Sequence, residues 1–296
     1  MRAIGPRRGH YHYGAWRVLC AIPAVLASGC LVTILCSGLG RWTVPAVAGW
    51  LLAGPLLLVG PVERAAVRAC FRFRAPIGAE CGWLDWLRAE TEQRCDAGAG
   101  RFDWYVRDDP ELAAAAAGRR SIVVTTGLLR LLSDDALTRG QAVAVLLHEV
   151  GHHLTGGTRY GLVECWPTWP WQTIYRMTMR LGRLLPGAGA ALVFLPVVFV
   201  AAVVNVTRQP APPGQVVPVL GLLLVLALAV FVHPVVDAAL SRAGEHAADR
   251  YAHRLGAGAD LAAALQLIAG PGPARGRRRL RAGHPGQRAW LQRPAR

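Results

Sequence analysis

Four stretches of this chain carry no charged side chain: the residues between Arg17 and Arg41, from Trp42 to Val62, from Leu184 to Thr207, and from Gln209 to Val236. Each reaches the roughly 20 residues that an α-helix needs to cross about 30 Å of hydrocarbon. Burying four such helices in a soluble globule would require polar sequence to cover them. A chain of 296 residues, 53% of them hydrophobic, leaves too little. The expected fold class is a mainly α integral membrane protein with four transmembrane helices. A secretory or lipoprotein signal ending in LASGC at Cys30 is the rival for the first stretch. Ala27 stands where such a signal carries a large aliphatic residue, and cleavage there would leave three spans with the arginines badly arranged.

All 33 basic residues are arginine, and they lie unevenly about the apolar stretches. Arg2, Arg7, Arg8 and Arg17 precede the first, Arg64, Arg68, Arg72 and Arg74 follow the second, and Arg176, Arg180 and Arg183 precede the third, whereas the short connections hold only Arg41 and Arg208. The positive-inside bias places both termini and the central segment in the cytoplasm. The net charge of +15 forms no stripe interleaved with aromatic residues, so anionic lipid headgroups, and no nucleic acid, are the expected counter-charge. Seven cysteines, an odd number without a CxxC pair, fit a reducing compartment. The arginine, alanine, glycine and proline bias points to GC-rich coding and a bacterial source.

These features divide the chain into a cytoplasmic segment (1–17), two transmembrane helices (18–62), a polar domain (63–183), a transmembrane hairpin (184–236), a helical segment (237–270) and an Arg/Pro/Gly-rich tail (271–296). Within the polar domain, Phe102–Val106 and Ser121–Thr125 read as short strands with an Ala-rich stretch between them. Val143, Leu146, Leu147, Val150 and Leu154 recur at helical spacing and predict a helix over Gln141–Leu154, ended by Gly156 and Gly157.

That helix contains HEVGH, His148–His152. Two histidines four residues apart stand one turn above each other, so both imidazoles can reach one Zn²⁺, and Glu149 points beside it toward the place of an activated water. In a chain of this composition the pattern arises by chance on the order of once in a hundred. A catalytic zinc needs a third protein ligand and one open position. The best candidate lies in SRAGEHAADRYA, where Glu245 and Asp249 share a helical face, Glu245 as ligand and Asp249 as acceptor for a ligating histidine. A solvated acidic face paired with Arg242 and Arg250 is the alternative for the same residues. Two spans between His152 and Glu245 return the chain to the same side of the bilayer, as a shared metal requires.

With SIVVTTGLL, LLHEVGHHL and SRAGEHAAD set across a hydrophobic hairpin, the chain from about Tyr105 to Leu265 resembles the HtpX-type family of membrane zinc metallopeptidases. The resemblance implies a zincin-like domain with a small β-sheet and one zinc per chain. His148, His152 and Glu245 are the implied ligands, Glu149 the general base and Asp249 a supporting residue. It also implies a plasma-membrane enzyme, its site facing the cytoplasm, that cuts misfolded or misassembled membrane proteins. Where similar proteins carry an Asn-Ala pair between the two short strands, this chain has Ala113–Ala117; its distal part is short and Arg-rich, although Gly283–Arg288 is similar to the family's His-Pro segment.

The expected reaction is peptide-bond hydrolysis by a water acidified at the zinc, with Glu149 carrying its proton to the leaving amine. Arg242 and His253 are candidate oxyanion donors. Ser121–Thr125, as an exposed edge, would pair with an extended substrate; as a core strand it would not. A BlaR/MecR-like sensor protease cleaving one regulator, and a catalytically inactive scaffold of the same fold, are the alternatives.

Overall fold

The computed structural model describes residues 11–95, 100–156, 158, 161–184, 221 and 224–269. In chain order the elements are α1 (Tyr11–Cys36), a 3-10 stretch (Ser37–Trp42), α2 (Thr43–Leu56), α3 (Gly60–Phe71), α4 (Ala79–Arg94), β1 (Asp103–Arg107), β2 (Ala114–Ala117), β3 (Ser121–Thr125), α5 (Thr126–Ser133), α6 (Arg139–Leu154), α7 (Gly161–Leu184), a π-helical turn (Leu228–Val232), α8 (His233–Arg254) and α9 (Gly258–Ala269). They belong to two compact units. Met1–Trp16, Leu56–Leu162 and Ala238–Arg296 form one; Arg17–Pro55 and Val163–Asp237 form the other.

The second unit is apolar. Its first two helices are divided at Gly40, whose φ of 56° and ψ of −122° leave helical space. Helix α7 is tied to each by a hydrogen bond: the Trp166 indole N–H donates to the Trp50 carbonyl at 2.8 Å and the Trp171 N–H to the Ser28 hydroxyl at 3.1 Å. Arg17 pairs with Glu164 at 3.0 Å. Large apolar side chains, among them Leu19, Ile22, Leu35, Val44 and Leu52, point outward.

Two described stretches are long and apolar enough to cross a membrane, Trp16–Leu56 and Leu224–Arg254. The second expected span, Trp42–Val62, is not one helix. Its helix α2 has 14 residues, about 21 Å at 1.5 Å per residue, and is short of the hydrocarbon thickness. Pro55 lies in its last turn and Gly60-Pro61 starts α3, where a proline's missing N–H costs nothing. The third expected span, much of the fourth and the tail from 270 lie outside the described residues.

In the first unit a three-stranded sheet has the order β1-β3-β2, with β3 parallel to β1 and antiparallel to β2. Ser121–Thr125 is therefore the central strand, buried along its whole length, so of its two readings the core strand holds and the exposed edge does not. Its β-branched residues suit a strand covered on both faces. One of the two outer strands is β2, from the Ala-rich stretch. Alanine has little intrinsic preference for strands, so the pairing Ala114–Ala117 with Val124–Ser121 comes from β3 and not from local propensity.

Helix α6 lies against the sheet and is buried from Ala142 to His152. Thr138 starts it with a capping box: its hydroxyl accepts the Gln141 N–H and the Gln141 side chain accepts the Thr138 N–H. Thr138→Ala is expected to cost about 1 kcal/mol of stability, read as a lower Tm with unchanged metal content. At the other end Gly156 takes the left-handed conformation, φ 79°, that closes the helix.

His153 fixes α6 to the sheet. Its Nε2 lies 3.0 Å from the Ser121 carbonyl, which can only accept, so Nε2 carries the proton and Nδ1 accepts the Thr158 hydroxyl at 2.9 Å. Burial pushes its pKa down to about 4, and the ring stays neutral at physiological pH. At the start of α6, Gly140 meets α9: a Cβ there would stand 2.8 Å from Asp260 Oδ2.

Candidate metal centre

The i, i+4 spacing on α6 stacks the His148 and His152 rings edge to face, with centroids 4.8 Å apart and Nε2 atoms 3.2 Å apart. Glu245 reaches them from α8. Its Oε2 lies 3.4 Å from His148 Nε2 and 3.7 Å from His152 Nε2. With bonds of about 2.0–2.1 Å, a tetrahedral zinc holds its ligand atoms about 3.3–3.4 Å apart. The triangle of 3.2, 3.4 and 3.7 Å thus has the dimensions of three corners of such a tetrahedron. Two imidazoles and a carboxylate are also the donor set that suits this metal. Among the described residues, these three form the group of metal-ligating side chains that could hold an ion.

The approach of α8 depends on Gly151. A Cβ there would lie 2.9 Å from Ala248 Cα and 3.1 Å from the Ala248 carbonyl oxygen, so the two helix backbones meet where neither has a bulky side chain. Glycine inside a helix costs about 1 kcal/mol relative to alanine; here it permits the contact that carries Glu245 to the histidines. Gly151→Val is expected to force α8 away and destabilise the unit by about 1–3 kcal/mol. The check is a thermal melt together with zinc titration, in which metal affinity falls as well.

Asp249 stands one turn beyond Glu245, with Oδ1 2.9 Å from His148 Nδ1. Burial works against a charge on His148, but Asp249 and Glu245 outweigh it and raise its pKa to about 10. With no metal bound the ring therefore holds a proton, and a metal at this group would displace it. Asp249→Asn is expected to weaken zinc binding by about 10- to 100-fold, the usual cost of an outer partner of a ligating histidine, measured by competition with a chromophoric chelator.

Glu149 is almost fully buried, at 2% exposure, and its Oε2 accepts the Ala116 N–H at 2.8 Å. Since Thr125 N–H donates to the Ala113 carbonyl, alternate residues of β2 turn their backbone groups away from β3, which is how Ala116 comes to face Glu149. Sequence reasoning missed this donor, because a backbone N–H leaves no mark in the residue type. Of the two expected oxyanion donors, Arg242 is exposed one turn before Glu245. His153's neighbour in type, His253, is exposed too, and its ring lies against Gly258, where a Cβ would come within 2.4 Å of Nδ1.

Two buried histidines and a partly exposed glutamate, beside the buried Glu149 carboxylate, are the donor set of a metal-dependent hydrolase. Residues 86–293 match the model of peptidase family M48. The chain belongs to this family. Metallopeptidase activity follows from membership, and the match spans α6, α8 and the strands between which Ala113–Ala117 lies. No curated protein matches the chain.

Proposed function

We propose that this chain is a membrane-embedded zinc endopeptidase of the HtpX type, with His148, His152 and Glu245 as metal ligands and Glu149 as general base. The observation that carries the reading is the 3.2, 3.4 and 3.7 Å triangle with Glu149 one residue away from its first corner. Zinc bound there supplies Lewis acidity to a water and to the scissile carbonyl. Glu149 takes the proton of the attacking water and delivers it to the leaving amine. The Ala116 N–H holds the carboxylate in place, and Asp249 keeps the His148 ring turned to the metal. Arg242, exposed one turn before Glu245 on α8, is the candidate oxyanion donor this reading keeps.

We read β2, an outer strand with Ala116 and Ala117 partly exposed, as the strand along which an extended substrate lies beside Glu149. Its alanines present nothing beyond Cβ along that wall, which suits a peptidase tolerant of many sequences. Misfolded membrane proteins, cut on the cytoplasmic face of a bacterial plasma membrane, are the substrates this reading favours.

Two features support the membrane. Only 22% and 11% of the most apolar windows in Trp16–Leu56 and Leu224–Arg254 are buried, unlike the core helices of a soluble protein. Their outward Leu, Ile, Val and Phe side chains ask for an apolar solvent. The test is purified full chain in detergent: about one zinc per chain, casein cleavage, and loss of cleavage on chelation with recovery on adding zinc. A protein that cleaves equally well after complete removal of metal would end this reading.

A further inference from the structure

The first unit carries an arginine surface that the peptidase chemistry does not use. Four arginines follow the second apolar stretch, and the structure separates them. Arg74 is engaged, at 2.6 Å from both Glu80 and Asp108. Arg64, Arg68 and Arg72 recur every fourth residue along α3 and its C-terminal cap, all exposed, and among the described residues none has a carboxylate at ion-pair distance. Spacing of four keeps Arg64 and Arg68 on one side of the helix, and Arg72 follows them at its left-handed cap, φ 54°.

The adjoining side of α3 is anchored. Val67 is fully buried against Phe73, Tyr105 and Val123. The Glu63 carboxylate accepts the Arg119 N–H at the turn between β2 and β3, where Gly118, φ 58°, leaves no room for a side chain against Glu63. Arg119 also donates from its guanidinium to the Leu58 carbonyl at 3.3 Å. The arginines are thus mounted on a fixed helix. Arg68 is held over the Tyr105 ring at 5.1 Å, and with Arg64 it lines a cleft of about 360 Å³ together with Pro61, Ala65, Asp103 and Tyr105.

Immediately before these charges the chain exposes Leu56, Leu58, Val59 and Val62. Apolar side chains that lead within a few residues into unpaired arginines match the boundary between acyl chains and headgroups. An acidic soluble partner would meet the charge but not this apolar lead-in. We infer that the surface of α3 formed by Arg64 and Arg68, with Arg72 beyond them, binds the headgroups of anionic phospholipids, seating the peptidase unit on the bilayer. Asp103 at the cleft lowers its net charge and favours a headgroup presented by the membrane over a free anion of high charge.

The experiment uses the full chain in micelles containing equal amounts of phosphatidylglycerol and phosphatidylcholine, with the lipids that remain bound counted by native mass spectrometry. Wild type is expected to retain phosphatidylglycerol preferentially. Each arginine near a membrane surface strengthens anionic-lipid binding about fivefold, so Arg64→Gln/Arg68→Gln should lower the preference about 25-fold, while Arg64→Lys/Arg68→Lys keeps most of it. Zinc content serves as the folding control for both variants. A wild-type chain without preference, or an unchanged preference in the glutamine variant, overturns the inference. Extraction of the chain by carbonate is measured separately: retention in carbonate-washed membranes without lipid preference sinks this surface and leaves the embedded-enzyme reading standing.

Discussion

Glu149→Gln is expected to lower casein hydrolysis by about 10²- to 10⁴-fold, the range supplied by a positioned general base, while the protein still binds one zinc. The substitution keeps the side chain's size and an oxygen able to accept the Ala116 N–H that now bonds Oε2. It removes the negative charge and the capacity to take a proton. Because Glu149 is buried and is not a corner of the ligand triangle, fold and metal site should survive. Zinc content by atomic emission and proteolysis measured on the same preparation separate the two roles. Equal proteolysis in wild type and variant would remove Glu149 from the reaction, and joint loss of zinc and activity would recast it as part of the metal site.

Glu245→Ala should empty the centre. Losing a direct ligand leaves two imidazoles and should cost zinc affinity more than the roughly 10- to 100-fold attached to an outer partner such as Asp249. Zinc content after dialysis should fall below about a tenth of an equivalent, with activity falling in proportion. The His148 ring would lose one of the carboxylates that raise its pKa and keep the largest contributor, Asp249 at 2.9 Å. Stoichiometric zinc in this variant would place the third ligand elsewhere, with Asp249 the nearest substitute.

The legible parts of the fold were those encoded locally. Helix α6 announces itself by its apolar periodicity and by Thr138 and Gln141, and because i, i+4 spacing is set by the helix, His148 and His152 could be paired from the sequence. The β-branched run of β3 was likewise visible, although its central position was not, since that depends on which strands join it. Glu245 lies far along the chain and could be singled out only by topology and resemblance.

What the sequence concealed is non-local or carried by the backbone. Ala114–Ala117 has no strand signature and becomes one through pairing with β3. The Ala116 N–H that meets Glu149 would be the same for almost any residue there. Gly151 reads as one letter of HEVGH, while its physical role is the approach of Ala248. His153, next to the pair in sequence, is a neutral tie to Ser121 and Thr158, a role its residue type does not reveal. The apolar count ran through Trp42–Val62 without registering that Pro55 and Gly60-Pro61 break it into α2 and α3.

The proposed centre is one metal shared by α6 and α8. Diffraction from crystals of the zinc-loaded Glu149→Gln chain, collected on both sides of the zinc absorption edge, tests it directly. An anomalous peak about 2.0–2.1 Å from His148 Nε2, His152 Nε2 and a Glu245 carboxylate oxygen is the predicted result; a peak that excludes Glu245, or zinc bound elsewhere with this triangle empty, would contradict it.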